Sequence, residues 1–129
     1  MPDSTIPADW MAKAQADLRS ARVLRAASPP LLEQAVNHAA QAAEKMLKAL
    51  LIKYGVPYRS FRHDVPALLI EASAIEPSLT AFAPRLVDFD IYNVETRYPI
   101  SSPVTVTEAE TDDAISTVQD LIAALSALL

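Results

Sequence analysis

Apolar residues recur at steps of three and four along most of this chain, which is the spacing of amphipathic α-helices. The pattern is strongest over residues 32–54. There, one stripe predicts the apolar face of a long helix: Leu32, Ala35, Ala39, Ala43, Met46, Leu50 and Tyr54.

Prolines and capping residues predict the ends of the first two helices. Helix one is expected from about Ala8 to Ala27, with Asp9 as its N-cap, because Ser28-Pro29-Pro30 prevents its continuation. Helix two is expected from near Pro30 to Gly55. Proline suits the first turn of a helix, and glycine suits the left-handed residue just past its end.

Two further helices follow in the second half of the chain. Helix three is expected from about Val65 to Ala74, with Asp64 as its N-cap. Helix four is expected from about Ser78 to Arg97, and Pro84 inside it predicts a kink or a delayed start. It should end near Arg97 because the residue before Pro99 is biased away from helical angles.

Thr107 and Glu110 have the spacing of a capping box, which predicts that the last helix begins there. The chain has 129 residues, a single glycine and ten prolines, a composition typical of helices joined by short, stiff connections. We therefore predict an all-α fold in a single domain over residues 1–129. Its expected architecture is an antiparallel up-down bundle of four long helices plus one short helix.

Composition excludes several classes of function. The formal net charge of −5 argues against broad nucleic-acid binding by phosphate neutralisation, although it leaves room for a local basic pocket. The absence of cysteine excludes disulfides and thiolate metal sites, and no histidines and carboxylates have metal-ligand spacing, so no cofactor is expected. No apolar run could span a bilayer and no signal peptide is visible, so a cytoplasmic protein is expected.

A second, polar stripe accompanies the apolar one on helix two, formed by His38, Gln41, Lys45 and Lys48. In one interpretation this is a solvated face on which Glu44 pairs with Lys48 at i,i+4. In the other, the stripe recognises a phosphate or an acidic partner, because lysine acts as a point charge towards phosphate.

Two other groups of residues could carry chemistry. Arg59, Arg62, His63 and Asp64 precede helix three, whose N-terminus favours anions; the simpler interpretation is a basic loop with Asp64 as a cap. Asp90, Asn93 and Arg97 fall at steps of three and four, so they are expected on one face of helix four. There Arg97 could present its planar fork to a phosphate or carboxylate while Asp90 and Asn93 hold it, or the three could form a capping salt bridge.

Residues spread over most of the chain match the pattern of a known family: Trp10, Ala14, Asp17 and Leu18 in helix one, His38-Ala-Ala-Gln41-Ala-Ala-Glu44-Lys45-Met-Leu-Lys48 in helix two, His63-Asp64, and Tyr92 with Arg97-Tyr98-Pro99. This resemblance is to the HEPN-domain family of small helical bundles. It implies a bundle that forms a homodimer, nucleotide binding, and a minimal nucleotidyltransferase partner in a two-protein or toxin–antitoxin-like module.

Another branch of that family consists of metal-independent ribonucleases, which carry an Arg followed, after four to six residues, by a His. Here no His follows Arg97 at such a spacing, and Ser102 stands where four intervening residues would place it. A ribonuclease needs a group that titrates near neutrality, and serine does not supply one unaided. His38 or His63 could substitute only if the fold or a dimer brings it beside Arg97.

The leading hypothesis is a non-catalytic HEPN-like protein that binds a nucleotide or a nucleotidyltransferase partner. Its expected phosphate-binding residues are Arg97, Asn93, Asp90, Lys45, Lys48 and His63. The alternatives are an RNA-cleaving toxin with a displaced catalytic group and a purely structural interaction subunit.

Overall fold

The computed structural model describes residues 2–57, 63–94 and 105–129, and every regular element in those ranges is helical. The helices are α1 (Pro7–Ala26), α2 (Leu32–Lys53), α3 (Val65–Ile75), a 3₁₀-helix (Pro77–Phe82), α4 (Ala83–Leu86), α5 (Phe89–Val94) and α6 (Glu108–Ser126). The predicted all-α class is confirmed.

Helix α2 is the central element of the fold, because it packs against α1, α3, α5 and α6. Its predicted apolar stripe is largely buried, although Tyr54 at its end is 54% exposed. The neighbouring rows are buried as well, including Val36, Leu47 and Leu51. The apolar stripe is therefore only part of the buried surface of α2, since partners surround this helix.

Contacts between side chains give the directions of the long helices. The backbone N–H of Leu31 donates to Leu24 O at the α1–α2 connection, while Lys48 lies over the ring of Trp10 at the opposite end, so α1 and α2 are antiparallel. Helix α6 begins beside Arg25, which bonds Asp112, and ends near Lys53, which donates to Leu128 O. It therefore runs parallel to α2.

Most of the predicted helix ends are confirmed. Asp64 caps α3 by accepting a hydrogen bond from Ala67 N, and Thr107 with Glu110 forms the capping box of α6. Gly55 follows α2 with φ of 69°. Asp9 is not a cap: α1 begins at Pro7 after Ile6, and the Asp9 carboxylate instead accepts a hydrogen bond from Ser4 Oγ at 2.6 Å.

The predicted fourth long helix is divided into short pieces. A 3₁₀-helix precedes Pro84, which stands in the first turn of α4, and residues 87–88 form a turn that separates α4 from α5. The predicted arrangement of four long helices in an up-down bundle is therefore not confirmed. Within the described ranges, no helix has both the length and the apolar character needed to cross a membrane.

Candidate ligand-binding site

A buried carboxylate, Glu44 of α2, is the centre of the most elaborate polar cluster among the described residues. Its Oε2 accepts a hydrogen bond from Lys48 Nζ at 2.7 Å, one helical turn further along α2. Its Oε1 accepts a bond from the Asn93 side-chain amide of α5 at 2.6 Å and lies 2.9 Å from Nδ1 of His63, which precedes α3. One carboxylate thus joins three segments of the chain.

The cluster differs in exposure from one member to the next. The side chains of Glu44 and Lys48 are 8% and 9% exposed, whereas that of His63 is 47% exposed. Burial alone would raise the pKa of Glu44, but the hydrogen bonds from Lys48, His63 and Asn93 outweigh it, so the pKa is lowered. The carboxylate is therefore ionised at neutral pH, although it lies inside the bundle.

Asparagine side chains attach α5 to this region of α2. Asn37 donates to the main-chain oxygens of Tyr92 and Asn93, at 3.2 and 2.9 Å, and in turn accepts a bond from Gln41. Asn93 also donates to His63 O at 3.3 Å. The end of α5 and the segment that precedes α3 are thus held together.

Lys45 and His38 belong to a second cluster, built on Asp17 of α1. Lys45 Nζ contacts one oxygen of the Asp17 carboxylate, and Nδ1 of His38 lies 3.1 Å from the other. The Asp17 side chain is 12% exposed. The polar stripe of α2 is therefore not a uniformly solvated face: it bonds Asp17 through His38 and Lys45, and Glu44 through Lys48.

The structure joins some of the predicted site residues and separates others. Lys48, His63 and Asn93 meet at Glu44, while Lys45 lies in the Asp17 cluster. Asp90 is exposed on α5, and its expected role, to hold Arg97, involves a residue outside the described part of the chain. Arg97, Ser102, Arg59 and Arg62 lie outside the described residues.

The sequence interpretation missed the central position of Glu44. The expected i,i+4 pair with Lys48 does form, but inside the bundle rather than on a solvated face. A signal was available, because Glu44 falls four residues after Ala40 and three before Leu47, in a row of residues that are fully buried. A carboxylate in such a row must find partners, which is the property that marks a structured polar site.

Comparison with known proteins places this geometry in a family. The chain matches the HEPN domain over residues 7–128. It is also similar to the crystal structure of TT1696 from Thermus thermophilus, with 26% sequence identity and a TM-score of 0.76, over 95% of this chain and 98% of that one. No curated protein matches it. Because the family match spans nearly the whole chain, this protein belongs to the HEPN family.

Proposed function

We propose that this HEPN protein is a non-catalytic binding subunit. It binds either a free nucleotide or a nucleotidyltransferase partner that carries one. The observation that supports it is the charged Glu44 cluster, which is buried at Lys48 and opens to solvent at His63. In this proposal the ligand's phosphate is contacted by His63 and Arg97.

The energetics of buried charge support a functional role for the cluster. A buried ion pair contributes little net stability, since desolvation offsets its attraction, and apolar residues of similar size would serve a core as well or better. Four polar side chains from three segments nevertheless converge here. We infer that they position the adjoining surface, with Lys48 and Asn93 as positioning residues rather than direct ligands.

Isothermal titration calorimetry with ATP, GTP and nucleoside monophosphates tests this proposal. We expect saturable heat with at least one of them. Affinity should fall about tenfold in each of His63→Ala and Arg97→Ala, because each removes one charge-assisted hydrogen bond. Arg22→Ala is the matched control, since Arg22 is exposed on α1 and belongs to neither cluster. No heat with any nucleotide, or equal affinity in all variants, would contradict the proposal.

One observation favours a second function, RNA cleavage with a displaced catalytic group. The chain lacks the histidine that HEPN ribonucleases carry after the residue corresponding to Arg97. However, the main-chain oxygen of His63 accepts a hydrogen bond from the side chain of Asn93, which stands four positions before Arg97 in the sequence. A half-exposed imidazole at that place is a candidate for proton transfer to or from the RNA. His38 does not fit this role as well, because it lies on Asp17 of α1.

Incubation of the purified protein with total RNA distinguishes the two functions. Cleavage that is lost in both His63→Gln and Arg97→Ala, and kept in His38→Gln, would establish the ribonuclease. Intact RNA, or cleavage equal in all variants, would leave the binding function as the better account.

The family resemblance also supports a homodimer or a complex with a minimal nucleotidyltransferase in a toxin–antitoxin-like module. Multi-angle light scattering at micromolar concentration tests the homodimer directly, because it measures the mass of the particle in solution. We expect a mass of twice 14.0 kDa for the protein alone. A mass of 14.0 kDa would exclude the homodimer under these conditions.

A further inference from the structure

A second candidate site, separate from the Glu44 cluster, is an open groove of about 740 Å³ between α1 and α2. It lies beside the Asp17 cluster, because His38 belongs to both. Its volume falls in the range of sites for small organic ligands, roughly 300–1,000 Å³.

One part of the groove is apolar. Val23 and Leu24 of α1 line it, and Val23 is 63% exposed, which makes it one of the few large apolar side chains left in solvent among the described residues. An exposed valine in a concave surface loses unfavourable contact with water when an apolar group covers it. The groove therefore favours a ligand with an aliphatic or aromatic body.

The other part of the groove is cationic. Arg19 lines it and forms no ion pair or hydrogen bond with any described residue, in contrast to Arg25 and Arg85, which bond Asp112 and Asp120. No carboxylate appears in the described lining, and the nearby Asp17 is already engaged by Lys45 and His38. An unpaired guanidinium next to apolar surface fits an oxyanion, which it can bind with two parallel hydrogen bonds.

We propose that this groove binds a small amphipathic organic anion, with a carboxylate or phosphate group on an apolar body. Arg19 contacts the oxyanion, and Val23 with Leu24 covers the body. The site is independent of the nucleotide proposal, because it shares no residue with the Glu44 cluster.

The fluorescent sulfonate 8-anilinonaphthalene-1-sulfonate serves as the probe, because it combines an anion with an aromatic body. We expect saturable binding that weakens about tenfold in Arg19→Ala, from the loss of a charge-assisted hydrogen bond, and that weakens also in Val23→Ser. The matched controls are Arg22→Ala, an exposed arginine outside the groove, and Ile70→Ser, an exposed apolar residue on α3. Both should bind as the wild type does.

Competition then identifies the ligand chemistry. Octanoate or octyl phosphate should displace the probe, and which of them does so at lower concentration distinguishes a carboxylate ligand from a phosphate ligand. Neutral octyl glucoside should not displace it. Equal probe binding in all four variants would overturn the proposal. So would sedimentation showing that Arg19→Ala and Val23→Ser abolish self-association, because the groove would then hold a second copy of the chain.

Discussion

The Glu44 side chain stays ionised inside the bundle because of its hydrogen-bonding neighbours. Burial opposes its ionisation, and three hydrogen-bonding neighbours reverse that effect, so the pKa of Glu44 lies below its ordinary value. Removing the charge would weaken all three of these hydrogen bonds. Lys48 is the neighbour most affected, because its ammonium group is almost as buried as the carboxylate with which it pairs.

Glu44→Gln should therefore destabilise the protein by about 3 kcal/mol, the usual cost of breaking a buried pair. Urea denaturation followed by circular dichroism measures this loss as a lower midpoint. Asp112→Asn is the matched control, because Asp112 also pairs with a cation but lies on the surface, where screening makes the loss small. Equal midpoints in the two variants would show that the Glu44 pair is not effectively buried.

The stability that Glu44 contributes should also depend on pH. Because its pKa is lowered by folding, the contribution is fully present above the ordinary value of 4.5 and is lost as the pH falls through the lower folded value. The difference in unfolding free energy between wild type and Glu44→Gln should thus shrink as the pH falls below about 4.5. Other carboxylates cancel in this difference, and a gap that stays constant to pH 3 would contradict the assignment.

At the scale of whole elements, helix ends were predictable where the signal is local. Gly55 ends α2 because the N–H groups of Gly55 and Val56 bond the oxygens of Ile52 and Leu51, a geometry that requires a left-handed residue. A capping residue and the backbone it satisfies lie within a few positions of each other, so sequence alone suffices.

Gly55→Ala tests that conclusion. No atom lies within 4 Å of the position that a Cβ would occupy, so the cost should be conformational alone, about 1 kcal/mol. Thermal unfolding should show a lower midpoint for Gly55→Ala and a smaller decrease for Gly55→Asn, since asparagine tolerates the left-handed region better. An unchanged midpoint for alanine would contradict the proposed role of this glycine.

The division of the fourth predicted helix had no comparable local signal. Pro84 predicted a disturbance, but the turn at residues 87–88 contains neither proline nor glycine. Leu86 and Phe89 on either side of it are both in the core, as they would also be on a continuous helix, since side chains three positions apart share a face. The apolar spacing therefore gave no sign of the break.

At the scale of the molecule, the other helices pack around α2. This packing explains why the Glu44–Lys48 pair lies inside the bundle and not on a solvated face. The Glu44–Lys48 pair, which one interpretation of the sequence predicted, does form, and Lys48, His63 and Asn93 all contact the Glu44 carboxylate. The sequence could not show that α1, α3, α5 and α6 surround α2 and turn a surface pair into an interior one. Nor could it show that the Lys45 ammonium group pairs with Asp17 rather than with Glu44.

In our proposal, the Glu44 cluster holds a nucleotide-binding surface at His63 and the end of α5. The most direct test is a titration of ¹⁵N-labelled protein with ATP, monitored by two-dimensional NMR. We expect saturable chemical-shift changes at His63 and at the Asn93 side-chain amide, while the signals of the exposed face of α3 around Ile70 stay unchanged. Shift changes absent throughout, or confined to residues far from His63 and Asn93, would contradict it.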